Sequence, residues 1–87
     1  MNHKERAIAA YSVKRYDVSI KEASLAIVQN PDDAENYLYL GESLFVVGKK
    51  KEGIEAIQTA VQKDPEWGRC HYVLSHFLHE QERYDEA

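Results

Sequence analysis

Ala34-Glu35-Asn36-Tyr37-Leu38-Tyr39-Leu40-Gly41-Glu42-Ser43-Leu44-Phe45-Val46-Val47-Gly48 is the stretch on which the fold turns. Pro31 bars a helix from running in from behind, because it lacks an N–H and crowds the preceding turn. Asp32, Asp33 and Glu35 put negative charge on the first turn, where the helix dipole favours it, and Gly48 supplies a C-terminal stop. These signals predict a helix over 33–47. Its apolar residues Tyr37, Leu38, Tyr39, Leu40, Leu44, Phe45 and Val46 lie nearly all round, as expected of a helix sandwiched between neighbours. The following segment, 50–63, has a different pattern. Gly53, Ile54, Ala56, Ile57, Ala60 and Val61 recur at spacings of three and four, with Glu55, Gln58, Thr59 and Gln62 opposite, so one face is buried and the other wet.

The prolines extend this pair of helices to the whole chain. Pro31 and Pro65 are the only two, and they lie 34 residues apart. The same offset pairs Ile20 with Ile54, Ala26 with Ala60, Ile27 with Val61, Asn30 with Asp64, Leu40 with Leu74 and Leu44 with Leu78. Ala7, Gly41 and Ser75 share one register, and Ser19, Gly53 and Ala87 another, which predicts close backbone approaches in each unit. Translation places the remaining helices at about 3–14, 17–29 and 67–80, by the 34-residue period.

Composition narrows the function. Eighty-seven residues, 44% hydrophobic and 30% charged, make one small domain and exclude a multidomain enzyme. A net charge of -4 with scattered lysines argues against nucleic acid, which needs a basic face. The longest run without Asp, Glu, Lys or Arg is Cys70 to His79, too short to span a membrane. Met1-Asn2-His3-Lys4-Glu5 lacks the apolar core of a signal peptide, so a cytoplasmic location is expected. Lys49-Lys50-Lys51 reads as a solvated turn after Gly48.

The pattern resembles the tetratricopeptide repeat family. The family's aromatic, Leu, Gly and large-residue positions fall on Tyr37, Leu40, Gly41 and Leu44. Gly48, Gly53, Ile57, Ala60 and Pro65 sit where the family has its turn glycine, small residue, large apolar residue, alanine and closing proline. The first unit matches through Ala7, Tyr16, Ala23, Ala26 and Pro31, with Arg6 where Leu is usual. The third matches through Leu74, Leu78, Arg83-Tyr84 and Ala87, with His71 in the aromatic slot. The resemblance implies an all-α fold, a right-handed α-solenoid of antiparallel helix pairs forming a single domain over 1–87. Its units are about 1–33, 34–67 and an incomplete 68–87, by the same period.

Five helices leave the stack uneven. Glu82 to Ala87 looks like the opening of a sixth, and a solenoid unit buries its apolar face only against a neighbour. The last helix is therefore expected to fray or to run on towards Tyr84, leaving Leu74, Phe77 and Leu78 partly open. Either a second copy covers them, giving a homo-oligomer, or the chain is a stretch of a longer array. Val18, Leu25 and Val28 make the outer face of the 17–29 helix apolar, where the next unit has Glu52, Thr59 and Gln62, and they join Leu74, Phe77, Leu78 and Tyr84 as self-association candidates.

In this family, functional residues lie on the concave face made by the first helix of each unit. Here the resemblance assigns that face Lys4, Ile8, Tyr11, Leu38, Tyr39, Glu42, Phe45, Arg69, Tyr72, His76 and His79. Aromatic rings with intermittent acids and histidines suit a peptide or partner helix with apolar anchors, so the expected role is a non-catalytic protein-interaction scaffold. Some relatives hold a chaperone's carboxylate tail with five polar side chains. At the matching positions Lys4 and Arg69 are basic, but Ile8, Tyr39 and Val73 replace the rest, so that ligand is not expected. His76, His79 and Glu80 could offer metal ligands from one side of a helix, yet a site needs further groups and only Glu42 is near enough to consider. No metal or other cofactor is expected. Cys70 has no base beside it, and core packing is its expected role.

Overall fold

The computed structural model describes residues 1–86, and side chains through Arg83. Five helices follow one another: α1 His3–Ser12, α2 Tyr16–Gln29, α3 Ala34–Val46, α4 Lys50–Lys63 and α5 Gly68–Glu86. Each packs on the next, and α1 also meets α3. The result is an all-α solenoid of antiparallel helix pairs. α5 runs straight on rather than fraying. Tyr84, one of the self-association candidates, lies outside the described side chains.

Two kinds of turn alternate, and each is built twice. α1 ends with Lys14 at φ 64°, and α3 ends with Gly48 at φ 99°. After each left-handed residue the next amide reaches back to the last helical turn: Arg15 N–H donates to Ala10 O at 2.8 Å and Lys49 N–H to Leu44 O at 2.9 Å. This closes orphan carbonyls at both helix ends. Lys14 occupies a backbone region costing about 1 kcal/mol for a side-chain-bearing residue. The opposite turns also match. Asp33 N–H donates to Asn30 O and Trp67 N–H to Asp64 O, each at 3.2 Å. Tyr37 Oη donates to Pro31 O at 2.7 Å, and at the equivalent place His71 Nε2–H donates to Pro65 O at 2.6 Å. An imidazole thus does the work of a phenol in the aromatic slot. Helix starts are capped where a side chain permits: Asn2 Oδ1 accepts from Glu5 N–H, and Asp33 Oδ1 from Glu35 N–H.

The small-residue registers mark the helix crossings. A Cβ on Gly41 would stand 2.7 Å from Gly53 O, and one on Gly53 would stand 2.7 Å from Gly41 O. In the first pair the same crossing is made by Ala7 and Ser19, where Ser19 Oγ donates to Ala7 O at 2.9 Å and Ser43 Oγ donates to Ser19 Oγ at 3.1 Å. Both serines are fully buried, so this relay ties α1, α2 and α3 together with its polar atoms satisfied. Further along, Ala34, Leu38, Ile57, Ala60 and Cys70 form the buried cluster, with Tyr37, Trp67, Leu74 and Phe77 packed against it. Complete burial of Leu38 and Ile57 stabilises the fold by about 1.5–3 kcal/mol each.

Candidate functional site

The first helices of the pairs, α1, α3 and α5, carry the residues assigned to the concave face, and the structure divides these into a floor and a rim. Leu38 and Phe45 belong to the floor. Leu38 is wholly buried in the cluster with Ile57 and Cys70, and Phe45 stacks on Phe77 with ring centroids 3.9 Å apart and planes at 4°. Neither offers a side chain to a ligand, which corrects the expectation for both. The cause is α5, whose Cys70 and Phe77 pack against the side of α3 that carries them. Phe77, expected to be partly open, is half-buried in this stack.

Glu42 is the centre of the floor. Only 5% exposed, it receives the Tyr11 hydroxyl from α1, and Arg69 Nη2 of α5 stands 3.6 Å from its Oε1. Burial, then the hydrogen bond to Glu42 and that carboxylate's charge, push the Tyr11 hydroxyl above its usual pKa, so it stays a donor. Burial opposes the Arg69 cation, but Glu42's charge and the hydrogen bond with Tyr39 outweigh that and hold the guanidinium above its ordinary range. Arg69 also lies over the Tyr39 ring at 5.6 Å, and Tyr11 meets Tyr39 edge to face at 5.4 Å. One buried carboxylate therefore fastens the three helices at the concave face. Tyr39 is itself buried, so of this set Tyr11 and Arg69 alone reach the surface.

The rim is made by Lys4, Ile8, Tyr11, Arg69, Tyr72, His76 and His79. Tyr72 is the most open ring, 73% exposed, and lies parallel to His76 at 6.3 Å. His76 Nε2 is 3.3 Å from Glu80 Oε1, while His79 is exposed. Among the described residues no group of three or more His, Cys, Asp and Glu side chains is gathered to hold a metal ion. Lys4 is already engaged, at 2.7 Å from Glu35 and 2.9 Å from Asp33. These hydrogen bonds, Glu35's first and Asp33's second, raise its pKa. Both basic residues at the carboxylate-clamp positions are thus paired with the chain's own acids. Two further participants had been read only for the fold: Asp33, as first-turn charge, pairs with Lys4, and Tyr16, as a repeat position, packs edge to face on Tyr11 at 5.8 Å. Cys70 lies in the core, where burial pushes its thiol up to about 11, too high for a nucleophile. No helix among the described residues is long and apolar enough to cross a membrane.

A family model described as Anaphase-promoting complex, cyclosome, subunit 3 matches residues 12–87. Among solved structures, MamA from Desulfovibrio magneticus RS-1 (residues 41 to the end) superposes with a TM-score of 0.89 at 24% identity, covering 97% of this chain and 48% of that one. The first TPR domain of Spaghetti (RPAP3), bound to the HSP90 peptide SRMEEVD, gives 0.85 at 19% identity, covering 91% of this chain and 63% of that one. The chain therefore spans about half of the former and under two thirds of the latter. No curated protein is significantly similar to it in sequence.

Proposed function

The chain belongs to the tetratricopeptide-type repeat family whose model is that of anaphase-promoting complex, cyclosome, subunit 3, and from that premise we propose that it is a non-catalytic scaffold holding a partner's peptide segment on its concave face. The observation that carries this reading is the exposed pair Tyr72 and His76 standing beside a floor that Glu42 has already neutralised and made rigid. Exposed flat rings on a fixed base suit an apolar or aromatic anchor, because little side-chain entropy is lost when they are covered. Lys4 and Arg69 are spoken for by acids, so the ligand differs in kind from the acidic peptide on the RPAP3 domain. Selection from a displayed peptide library tests the reading. Peptides enriched on the wild-type chain should lose most of their binding to Tyr72→Ala and His76→Ala but keep it for Leu25→Glu on the outer face of α2. Equal retention by all three variants would remove the groove from consideration.

A second reading, self-association through α5, is favoured by Leu78, 41% exposed beside the half-buried Leu74. Val18, Leu25 and Val28 are exposed on α2 as well. A closed pair formed through Leu78 would be insensitive to salt and would dissociate in Leu78→Glu, which light scattering reads directly.

A further inference from the structure

The alternation of turns gives the solenoid two edges of opposite charge. The α1–α2 and α3–α4 turns lie at one end of the helices and carry Lys14, Arg15, Lys49 and Lys51, all exposed. The same turns present Val13, 66% exposed, together with the exposed Val46 and Val47. At the other end, the α2–α3 and α4–α5 turns carry Asp32, Asp64 and Glu66, with Pro31, Pro65 and Val28, which is 80% exposed. That both acidic turns share one edge is fixed by an ion pair: Lys63 Nζ at the end of α4 reaches Asp32 Oδ1 at 3.2 Å. Lys4 at the start of α1 likewise reaches Asp33.

We propose that copies of the chain dock edge to edge, the basic valine-bearing turns of one against the acidic proline-bearing turns of the next. Charge complementarity selects a second copy as the occupant. So does spacing. Both edges come from the same 34-residue translation, so on each the successive turns stand one repeat apart and the two spacings match. A ladder of two basic turns therefore meets a ladder of two acidic turns in register without adjustment of either. Val13, Val46 and Val47 then cover Val28, Pro31 and Pro65. An anionic membrane is the other surface such a patch could meet. A net charge of -4, and Asp17 and Glu52 within the basic turns, disfavour it. Because the edges point in opposite directions, the contact is head to tail and does not close, so it builds a series of masses rather than a dimer. It uses neither the concave rim nor Leu78, and it stands whether or not those readings survive.

Sedimentation of the full chain at high concentration tests this. In about 0.01 M salt the weight-average mass should rise with concentration to at least about twice the monomer's, without a plateau, and in about 1 M salt it should return to the monomer's, since screening shortens the electrostatic range roughly tenfold. Two charge-reversed forms sharpen the test. Lys14→Glu, Arg15→Glu, Lys49→Glu and Lys51→Glu together make both edges acidic; Asp32→Lys, Asp64→Lys and Glu66→Lys together make both basic. Each form alone should be monomeric, and an equimolar mixture should associate again, which misfolded variants could not do. Leu78→Glu should associate as the wild type does. The proposal is overturned if the wild-type chain stays monomeric at low salt, if either reversed form alone assembles like wild type, or if the mixture fails to recover assembly. It is equally overturned if the basic turns bind phosphatidylserine vesicles while copies ignore one another.

Discussion

Gly53→Ala sets two effects of known size against each other. In a solvated helix the substitution stabilises by about 1 kcal/mol, since alanine has the higher helix propensity. In this structure the new Cβ would stand 2.7 Å from Gly41 O, 2.8 Å from Phe45 N and 3.1 Å from Phe45 Cα. All three are backbone atoms of α3, so no side chain can swing aside, and α3 and α4 must separate. Overpacking of a tight core costs about 1–3 kcal/mol, and a backbone obstacle belongs at the upper end of that range. The net expectation is a loss of about 2 kcal/mol. In a domain of this length that lowers Tm by roughly 10 °C. Thermal unfolding followed by circular dichroism measures it. Gly68→Ala is the internal comparison, because nothing lies within 4 Å of its added Cβ, and its Tm should hold or rise slightly. A Gly53→Ala protein as stable as the wild type, or more so, would refute the close crossing of α3 and α4.

The serine relay predicts non-additivity. Ser19→Ala removes the bond to Ala7 O and leaves Ser43 Oγ buried without its acceptor, at a cost of about 1–2 kcal/mol, whereas Ser19→Ala with Ser43→Ala should cost less than the two single losses combined, as chemical denaturation will show. Leu38→Ala should cost about 2–5 kcal/mol, a loss at which urea unfolding shifts to a far lower midpoint, because Leu38 is core rather than groove. Cys70 gives a pH dependence. Its folded thiol is raised from 9.0 to about 11, so the fold holds the proton more tightly than the unfolded chain does. That contribution is complete below pH 9 and is lost as the pH climbs towards about 11. Tm should therefore fall less steeply across that interval in Cys70→Ala than in the wild type.

The fold was legible because its signals are local and repeated. Pro31, Gly48 and Pro65 bound the helices, and the 34-residue offset carried those bounds to elements with weaker punctuation of their own. Gly41 and Gly53 each fell in a small-residue register that signalled a close approach, and the structure brings the two against each other. The site was legible only in part. Tyr11 and Arg69 meet at Tyr39, and Tyr72 lies beside His76, but Leu38 and Phe45, given to the same face by the family resemblance, are buried. Whether a residue on the first helix of a unit is floor or surface depends on the first helix of the next unit, and here α5 brings Phe77 down on Phe45. Glu42 was missed as a hub for the same reason. Its partners Tyr11 and Arg69 are 31 and 27 residues distant in sequence, and no spacing rule joins them. The left-handed turn at Lys14 was also hidden, since lysine there gives none of the warning that glycine gives at Gly48.

The scaffold reading is tested most directly by NMR titration of the labelled chain with a selected peptide. Amide shifts should move at Ile8, Tyr11, Arg69, Tyr72 and His76 on the concave rim and stay still at Leu25 and Gln58 on the outer faces of α2 and α4. Shifts that cluster on those outer faces, with Tyr72 and His76 unmoved, would contradict it.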